Sequence, residues 1–426
     1  MYVYRRVVFL VVASMLIVVS AMPTMSQEYI TTSPDDIAWW QDARFGLFVH
    51  WGPVSLEGTE IGWSRGGERR GRHDTTTGAV PVDIYDNLYK SFNPTRFDAR
   101  EWVDIAKSAG MKYLVFTTKH HDGFSMFDTQ WSDYRITSPE CPFGRDVVKE
   151  LADACHEAGI RLGFYYSPVD WYHPDYRTAH HERYVTFMHN QVRELCTNYG
   201  QLDILWFDGL GGTSDDWNSL PMFRMIRELQ PHIIINNRAG LAADFSTPEQ
   251  RVGQYNLDRP WESCITICHQ WAWKPDDDMK TLSECIRTLV TCAGGDGNLL
   301  LNVGPMPDGR IEPRQVERLR EIGNWLDKYG ESIYGTRGGP IPPQSWGVTT
   351  RRDSNVYVHV LSGDDRVIAL PDLGAKVLSA ELLSGLKVRY DQSPLGVLIE
   401  TPGGAGDDID TVIRLTLDNE PRILNR

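Results

Sequence analysis

The feature that most constrains the fold of this chain is a series of apolar segments that each run into polar side chains. Ile204–Phe207 is followed at once by Asp208. Comparable segments end at His50, Lys119–Asp122, Tyr165–Tyr166 and Asn236–Arg238. Burial of a carboxylate costs free energy unless the group is paired or lies at the opening of a pocket. A charged residue directly after a buried strand therefore indicates a functional site. Parallel strands with polar residues at their C-terminal ends are typical of a (β/α)8 barrel.

Segments with a helical apolar period separate these strands. Residues 102–110 and 147–159 each carry an apolar stripe and end at a glycine, which is a common C-terminal helix signal. Asn298–Val303 is the predicted last barrel strand, and Pro313–Tyr329 is the predicted amphipathic helix that follows it. We therefore predict an α/β fold, a TIM-like (β/α)8 barrel over residues 33–337.

The pattern changes beyond residue 341. Short segments with alternating apolar residues are separated by Gly, Pro, Asp and Ser; they cover 356–360, 366–370, 377–383, 396–400 and 411–417. This pattern predicts an antiparallel β-sandwich over residues 344–426, with the domain boundary within 338–343.

The N-terminus has the character of a targeting segment. Arg5 and Arg6 precede the almost wholly apolar Val7–Ala21, and small residues follow. A basic start followed by a short apolar run predicts a secretory signal peptide over residues 1–26, with an uncleaved anchor as the alternative. We expect an exported protein (periplasmic, extracellular or lumenal) without stable membrane insertion after signal removal.

Composition narrows the classes of ligand. A formal net charge of −14 disfavours nucleic acid, which requires clustered positive charge. The 14 Trp and 18 Tyr provide aromatic faces that pack against sugar rings as well as in cores. The seven cysteines contain no Cys-x-x-Cys pair, so a zinc ribbon is not indicated.

The polar strand ends suggest either a metal site or a metal-free site. His120, His121 and Asp122 are potential zinc ligands. Metal-dependent barrel hydrolases usually begin with His-x-His at the first strand, whereas His50 is followed by Trp51 and Gly52. The spacing therefore favours a hydrogen-bonding site with neither metal nor cofactor.

Glycoside hydrolysis requires two carboxylates. Asp208, fixed at a strand end among aromatic residues, is the candidate nucleophile. The acid/base partner must come from another loop. Glu249 and Glu262 are the main candidates, and Asp122 and Asp170 are further alternatives.

The strand-end motifs together resemble glycoside hydrolase family 29, the α-L-fucosidases. The motifs are Phe45–Gly52, Thr118–Phe124, Gly163–Ser167, Leu205–Gly209 and Gly297–Pro305, in the order of the family. The resemblance covers roughly residues 33–335, and it implies a barrel followed by a β-sandwich.

The resemblance also implies a retaining double displacement without metal. Asp208 would be the nucleophile, and the usual place of the acid/base points to Glu249, with Glu262 as the fallback. The residues implied to bind the sugar are His50, His120, His121, Trp63, Tyr166 and Arg238. The sequence departs from many members at Asn237, where they have Asp.

The predicted function is that of an exported retaining exo-α-L-fucosidase acting on a fucosylated glycan. A related L-galacto or 6-deoxy sugar is the first alternative, since a methyl contact discriminates weakly. A non-catalytic sugar-binding barrel is the second, and a metal-dependent amidohydrolase comes last. The loop with Arg65, Arg69 and Arg70 departs from the commonest family pattern, and we hypothesise that it reads a charged or branched glycan.

Overall fold

The computed structural model describes residues 30–72, 77–362, 366–401 and 406–424. The predicted signal peptide, residues 1–26, lies outside the described residues. Within the described ranges, none of the helices combines the length and the apolar character that a membrane span requires.

The N-terminal part contains a parallel sheet of seven strands in the order β5-β4-β3-β2-β1-β7-β6. The strands are β1 (Phe45–Val49), β2 (Tyr113–Lys119), β3 (Arg161–Tyr166), β4 (Ile204–Phe207), β5 (Ile234–Ile235), β6 (Glu262–Thr266) and β7 (Asn298–Val303). Each ladder between neighbours is parallel. The predicted α/β barrel class is confirmed.

The barrel closes through an irregular segment between β5 and β6. Single parallel bridges join Asn236 to Phe245, Ser246 to Trp261 and Glu249 to Cys264. Pro248 lacks an N–H donor, which disfavours a continuous ladder here. The eighth strand position is thus occupied by residues 245–249 without regular strand structure.

Nine α-helices occur among the described residues. They are α1 (Pro34–Ala43), α2 (Val82–Tyr85), α3 (Ala99–Ser108), α4 (Val147–Ala158), α5 (His181–Asn198), α6 (Ser214–Trp217), α7 (Ser219–Leu229), α8 (Leu282–Gly294) and α9 (Pro313–Tyr329). Short 3-10 helices lie at Pro53–Leu56, Leu88–Ser91 and Gly330–Ser332. Helix α9 begins and ends at the predicted residues, because its apolar stripe extends over its whole length.

The barrel interior is a separate aromatic-rich core that α1 covers at the N-terminal ends of the strands. Trp40 of α1 belongs to this core, together with Tyr113, Tyr165 and Trp206 from three strands. The Nδ2 of Asn298, the first residue of β7, donates to the carbonyl of Trp40 over 2.7 Å. With α1 at this end, the opposite, C-terminal ends of the strands are left for a site.

The C-terminal part is antiparallel. Its strands are β8 (Arg337–Gly338), β9 (Gly347–Arg352), β10 (Asn355–Val360), β11 (Val367–Pro371), β12 (Val377–Leu382), β13 (Tyr390–Ser393), β14 (Gly396–Glu400) and β15 (Thr411–Leu417). They form two sheets, β12-β15-β10-β9-β8 and β11-β14-β13. Val358 and Ile413 of the first sheet share one core with Ile368 and Ile399 of the second. The predicted sandwich class is confirmed, and β8, β9 and β13 are additional strands.

All seven cysteines are buried free thiols. Burial raises the pKa of Cys155 and of Cys196 to about 12, so both stay protonated at neutral pH. The described fold therefore does not depend on disulfides.

Candidate active site

A pocket of about 350 Å³ lies at the C-terminal ends of the barrel strands. Its lining residues are Phe48, His50, Trp63, His120, His121, Tyr165, Trp206, Asp208, Leu210, Arg238, Glu249, Cys264 and Trp271. Seven of the predicted site residues are therefore brought together here, and Tyr166 and Glu262 are not.

Asp208 directly follows β4 and is clamped by two donors. Its Oδ1 accepts from Nη1 of Arg238 over 3.1 Å, and its Oδ2 accepts from the Tyr165 hydroxyl over 3.0 Å. The Nε2 of His121 lies 3.5 Å from Oδ2. Burial on its own raises the pKa of Asp208, but Arg238, His121 and Tyr165 bring that pKa below its ordinary value. Asp208 is therefore a carboxylate at neutral pH.

Glu249 lies on the irregular segment across the same arginine. Its Oε2 accepts from Nη1 of Arg238 over 2.8 Å, and its side chain is 43% exposed. Arg238 is fixed in turn by Thr247, whose Oγ1 and carbonyl both accept from the guanidinium. A single guanidinium nitrogen thus contacts both Asp208 and Glu249.

The pocket histidines are neutral. Burial lowers the pKa of His50 to about 3 and that of His121 to about 4, and it lowers the pKa of His120 strongly. The Nδ1 of His50 lies 2.6 Å from Oδ1 of Asn302, whose Nδ2 donates to the carbonyl of Trp271. This network orients the Asn302 amide so that its oxygen accepts from Nδ1–H of His50, which leaves Nε2 as an acceptor.

Gly62 permits the close approach of the loop after β1 to the pocket. A Cβ at this position would lie 2.7 Å from Nδ1 of His120, and the residue has a φ of +66°. Both the contact and the backbone conformation require glycine. The loop thereby brings Trp63 into edge contact with His121, with ring centroids 5.6 Å apart.

The prediction that Tyr166 contacts the sugar is corrected. Its hydroxyl donates to Oε1 of Gln191 in α5, on the helix side of the sheet. Tyr165 faces the pocket instead, because successive strand residues point to opposite faces. The sequence motif locates the tyrosine pair but does not determine which of the two faces inward.

The alternative prediction, that Glu262 is the acid/base, is also corrected. Glu262 is the first residue of β6, so it lies in the barrel interior near the N-terminal ends of the strands and is fully buried. Its Oε1 accepts from Nε1 of Trp206 over 3.1 Å, and its Oε2 accepts from the Tyr113 hydroxyl. Glu262 does not line the pocket. Burial raises the pKa of Glu262 to about 7, although these two hydrogen bonds oppose the shift.

This raised pKa predicts a pH-dependent stability difference between the wild type and Glu262→Gln. The folded-state pKa of Glu262, about 7, exceeds the ordinary value of 4.5. Between these pH values the native state therefore binds the proton more tightly than the unfolded state does. The wild-type contribution is complete below pH 4.5 and is lost as the pH rises through 7, a loss of about 3 kcal/mol. The measurement is the free energy of urea unfolding of both proteins at several pH values across this range.

The neighbouring groups do not titrate in this window. Burial raises the pKa of Tyr113 and of Cys264 well above neutral, and it raises the pKa of Cys292 to about 12. A constant difference between the two proteins at every pH would therefore contradict a titrating Glu262.

The alternative acids Asp122 and Asp170 have other partners. Asp170 forms a buried ion pair with Lys119, with 3.1 Å between Oδ2 and Nζ. Asp122 accepts from the Tyr85 hydroxyl over 2.7 Å. Neither residue lines the pocket.

The arginine loop contributes to the structure around the pocket mouth. Arg65 forms a bidentate pair with Asp86, so the hypothesis that Arg65 reads a glycan is not supported. Arg70 donates to the carbonyls of His173 and Pro174. The Arg69 guanidinium lies 5.3 Å from the Trp63 ring centroid, beside the pocket.

The spacing of three pocket residues is compatible with a metal ion. Ligand atoms of His120, His121 and Asp208 all lie within 4.8 Å of one another. However, Arg238 and Tyr165 already donate to both oxygens of Asp208. A guanidinium this close would repel a divalent cation, which argues for a hydrogen-bonding site.

Several residues that line or support the pocket are not predicted from the sequence. Asn302, which holds His50 but does not line the pocket, carries a weak signal, since it is a polar residue inside the apolar last strand. Tyr165 lies in the Gly163–Ser167 motif, so the sequence could have predicted its place in the pocket. Trp271, Cys264 and Leu210 carry no pattern that distinguishes them from core or loop residues.

Comparison with known proteins agrees with this geometry. The family model for α-L-fucosidase matches residues 20–331. Plasma α-L-fucosidase of Homo sapiens is 32% identical over 351 residues, 75% of each chain. Isoenzyme 1 of Paenibacillus thiaminolyticus superposes with a TM-score of 0.81 at 38% identity, covering 90% of this chain and 99% of that one.

A second solved structure bears on the chemistry of the family. It is a family 29 α-L-fucosidase from Bacteroides thetaiotaomicron, a trapped covalent intermediate in complex with 2-fluoro-fucosyl fluoride. It has a TM-score of 0.81 and 28% identity over 92% of this chain and 99% of that one. With the fold, the carboxylate pocket and these matches in agreement, the chain belongs to the α-L-fucosidases, the glycoside hydrolases of family 29.

Proposed function

We propose that this protein is a retaining exo-α-L-fucosidase that uses Asp208 as nucleophile and Glu249 as acid/base. The observation that carries the proposal is the single guanidinium nitrogen of Arg238 that contacts both carboxylates in one pocket. The floor of this pocket, with Phe48 and Trp206, is buried, so a terminal sugar fits but a continuing chain does not.

In the first step, an oxygen of Asp208 forms a bond to the anomeric carbon as the glycosidic bond breaks. Glu249 gives its proton to the departing oxygen and becomes a carboxylate. In the second step, Glu249 takes a proton from water, whose oxygen bonds to the anomeric carbon as the ester to Asp208 breaks. Asp208 is restored as a carboxylate, and Glu249 is protonated again.

Arg238 can stabilise both steps, because one of the two carboxyl groups that it contacts is an anion in each step. Asp208 is the anion before the first step, and Glu249 is the anion once Asp208 has become a neutral ester. The guanidinium donates to Asp208 over 3.1 Å and to Glu249 over 2.8 Å, so it can stabilise each carboxylate in turn.

The closeness of the two carboxyl groups is compatible with retention of configuration. Oδ1 of Asp208 and Oε2 of Glu249 contact the same nitrogen of Arg238, so these two oxygens lie no farther apart than about 6 Å. Retaining glycosidases separate their carboxyl groups by about 5–5.5 Å, whereas inverting enzymes need about 6.5–9.5 Å to hold a water.

The test is hydrolysis of 4-nitrophenyl α-L-fucoside, with Asp208→Asn as the matched control. We expect nitrophenol release by the wild type alone, with NMR showing α-L-fucose as the first product. Parallel assays with the α-L-galactoside test the alternative sugar, because that substrate carries a hydroxymethyl group in place of the C5 methyl. Binding of fucose without turnover would support the non-catalytic alternative. Dialysis against a chelator should leave the activity unchanged.

We further propose that neutral His50 accepts a hydrogen bond from a sugar hydroxyl through Nε2. Asn302→Asp would place an anion beside Nδ1 and raise the pKa of His50 from about 3. Once charged, His50 offers only donors. We therefore expect KM for the fucoside to rise by about tenfold as the pH falls through the new pKa, a dependence absent from the wild type.

Asn302→Leu is the control for this prediction, because it removes the amide without adding charge. Its KM should be raised equally at every pH. If KM of Asn302→Asp also lacked a pH dependence, His50 would not bind the sugar as an acceptor.

Export is proposed from residues 1–26 alone, whose basic start and apolar run are typical of a signal peptide. N-terminal sequencing of the protein recovered outside the cytoplasm is the test. A mature N-terminus after Ala21 or Ser26 is the expected result.

A further inference from the structure

The barrel interior beneath the pocket holds a carboxyl group that the proposed reaction does not use. Glu262 is fully buried, and its two oxygens accept from Trp206 and Tyr113. Tyr113 lies close to Asn298, whose Nδ2 also donates to the carbonyl of Trp40. Glu262 is therefore fixed by a network that extends to α1 at the closed end of the barrel.

Trp206 connects this network to the pocket. Its Nε1 donates to Glu262, whereas its ring lines the pocket. The ring stacks on Tyr165, with centroids 5.6 Å apart and planes at 19°. It also lies beneath the guanidinium of Arg238, at 4.8 Å from the centroid.

Besides Phe48, the Trp206 ring contacts Tyr165 and Arg238, and these are the two hydrogen-bond donors to Asp208. Tyr165 donates to Oδ2, and Arg238 donates to Oδ1. The orientation of one indole therefore influences both hydrogen bonds of the nucleophile.

We propose that Glu262 is a positioning residue for the nucleophile: by accepting from Nε1 of Trp206, it fixes the indole that supports Tyr165 and Arg238 against Asp208. This inference rests on the proposed function, in which Asp208 is the nucleophile. Glu262 touches neither the sugar nor the reacting atoms.

The choice of a carboxyl group has a physical reason. The indole has one donor and no acceptor, so an acceptor at Nε1 adds a directional restraint on the orientation of the buried Trp206 ring. A carboxyl offers a second oxygen, and Tyr113 holds that oxygen in place. Removal of the acceptor leaves the indole N–H unsatisfied, and the ring can satisfy it only by tilting.

A tilted indole would alter a measurable property of Asp208. Burial raises the pKa of Asp208, and contacts with Arg238, His121 and Tyr165 reverse that shift. Weaker contacts with Arg238 and Tyr165 would let the pKa rise. The acidic limb of the profile of kcat/KM against pH reports this group in the free enzyme.

The experiment compares Glu262→Gln with Glu262→Met in the full chain. The glutamine carbonyl can accept from Trp206 while its amide donates to Tyr113, whose hydroxyl reverses. Methionine has a similar length and accepts only weakly. We expect Glu262→Met to lower kcat/KM by about tenfold or more and to move the acidic limb up by about one pH unit. Glu262→Gln should keep the wild-type acidic limb.

The same data separate the failure of this inference from the failure of the proposed function. A wild type without activity that depends on Asp208 would overturn the proposed function. An active wild type with an unchanged acidic limb in Glu262→Met would overturn the positioning role, even if activity fell. Equal impairment of Glu262→Gln and Glu262→Met would overturn it as well.

A second comparison covers the case in which Glu262→Met does not fold. Trp206→Phe removes the indole N–H that Glu262 accepts from, so the double variant Trp206→Phe/Glu262→Met removes both partners of that hydrogen bond. The double variant should have the same acidic limb as Trp206→Phe alone. A further shift would show that Glu262 acts on Asp208 by a route other than Trp206.

Discussion

Replacing Asp208 with asparagine should lower kcat/KM for every α-L-fucoside by at least about 10³-fold. Asparagine keeps the size of the side chain: its one amide oxygen can accept from Arg238, and its Nδ2 can donate to the Tyr165 hydroxyl, which reverses. It cannot form the ester, because an amide oxygen is a poor nucleophile. The loss should therefore appear in turnover rather than in folding.

Two measurements accompany this variant. Its thermal unfolding should stay close to that of the wild type, since Arg238 still has an acceptor and the Tyr165 hydroxyl can accept from the amide. Its binding of fucose, measured by calorimetry, should persist. Near-normal hydrolysis by pure Asp208→Asn would contradict the role of Asp208 as nucleophile.

Replacing Glu249 with alanine should have the second largest effect, and its size should depend on the leaving group. Natural glycans leave as poor alkoxides, so loss of the proton donor should cost about 10²- to 10⁴-fold in kcat/KM. A nitrophenolate leaves without help, so the first step with 4-nitrophenyl α-L-fucoside should change little. Azide, which needs no general base, should then accelerate turnover of this activated substrate.

Glu262→Ala is the matched comparison, because the sequence alone left both glutamates as candidates. Glu262 is fully buried and lies outside the pocket lining, whereas Glu249 contacts Arg238. Azide rescue should therefore occur with Glu249→Ala only. Rescue of Glu262→Ala alone would show that the assignment of the acid/base to Glu249 is wrong.

Most of the architecture could be predicted because the apolar pattern reports burial directly. Pro313–Tyr329 was predicted as a helix with its observed ends, and the predicted last barrel strand Asn298–Val303 is β7. The irregular segment around Glu249 was not predicted, because it has neither a helical nor a strand period. Bridges to β5 and β6, rather than local sequence, give it a place in the barrel.

The residues of the candidate site were harder to predict where neighbouring residues of a strand point their side chains to opposite faces of the sheet. Tyr165 and Tyr166 are both fully buried aromatic residues of β3, so burial pattern alone does not separate the inward one from the outward one. Glu262 begins its strand, whereas Asp208 follows one, and the two residues consequently lie at different depths of the same barrel. Only the three-dimensional register distinguishes them.

The irregular closing segment also bears on how such an enzyme can diversify. Asp208, the proposed nucleophile, follows a strand with regular neighbours, whereas Glu249 lies on residues 245–249, which have only isolated bridges. Residues 246–250 are held to residues 260–264 by backbone hydrogen bonds, whereas insertions and substitutions within residues 251–259 interrupt no strand pairing. Changes there can therefore alter which leaving groups the protein accepts, over evolution or by design, while the pocket wall built on the regular strands stays intact.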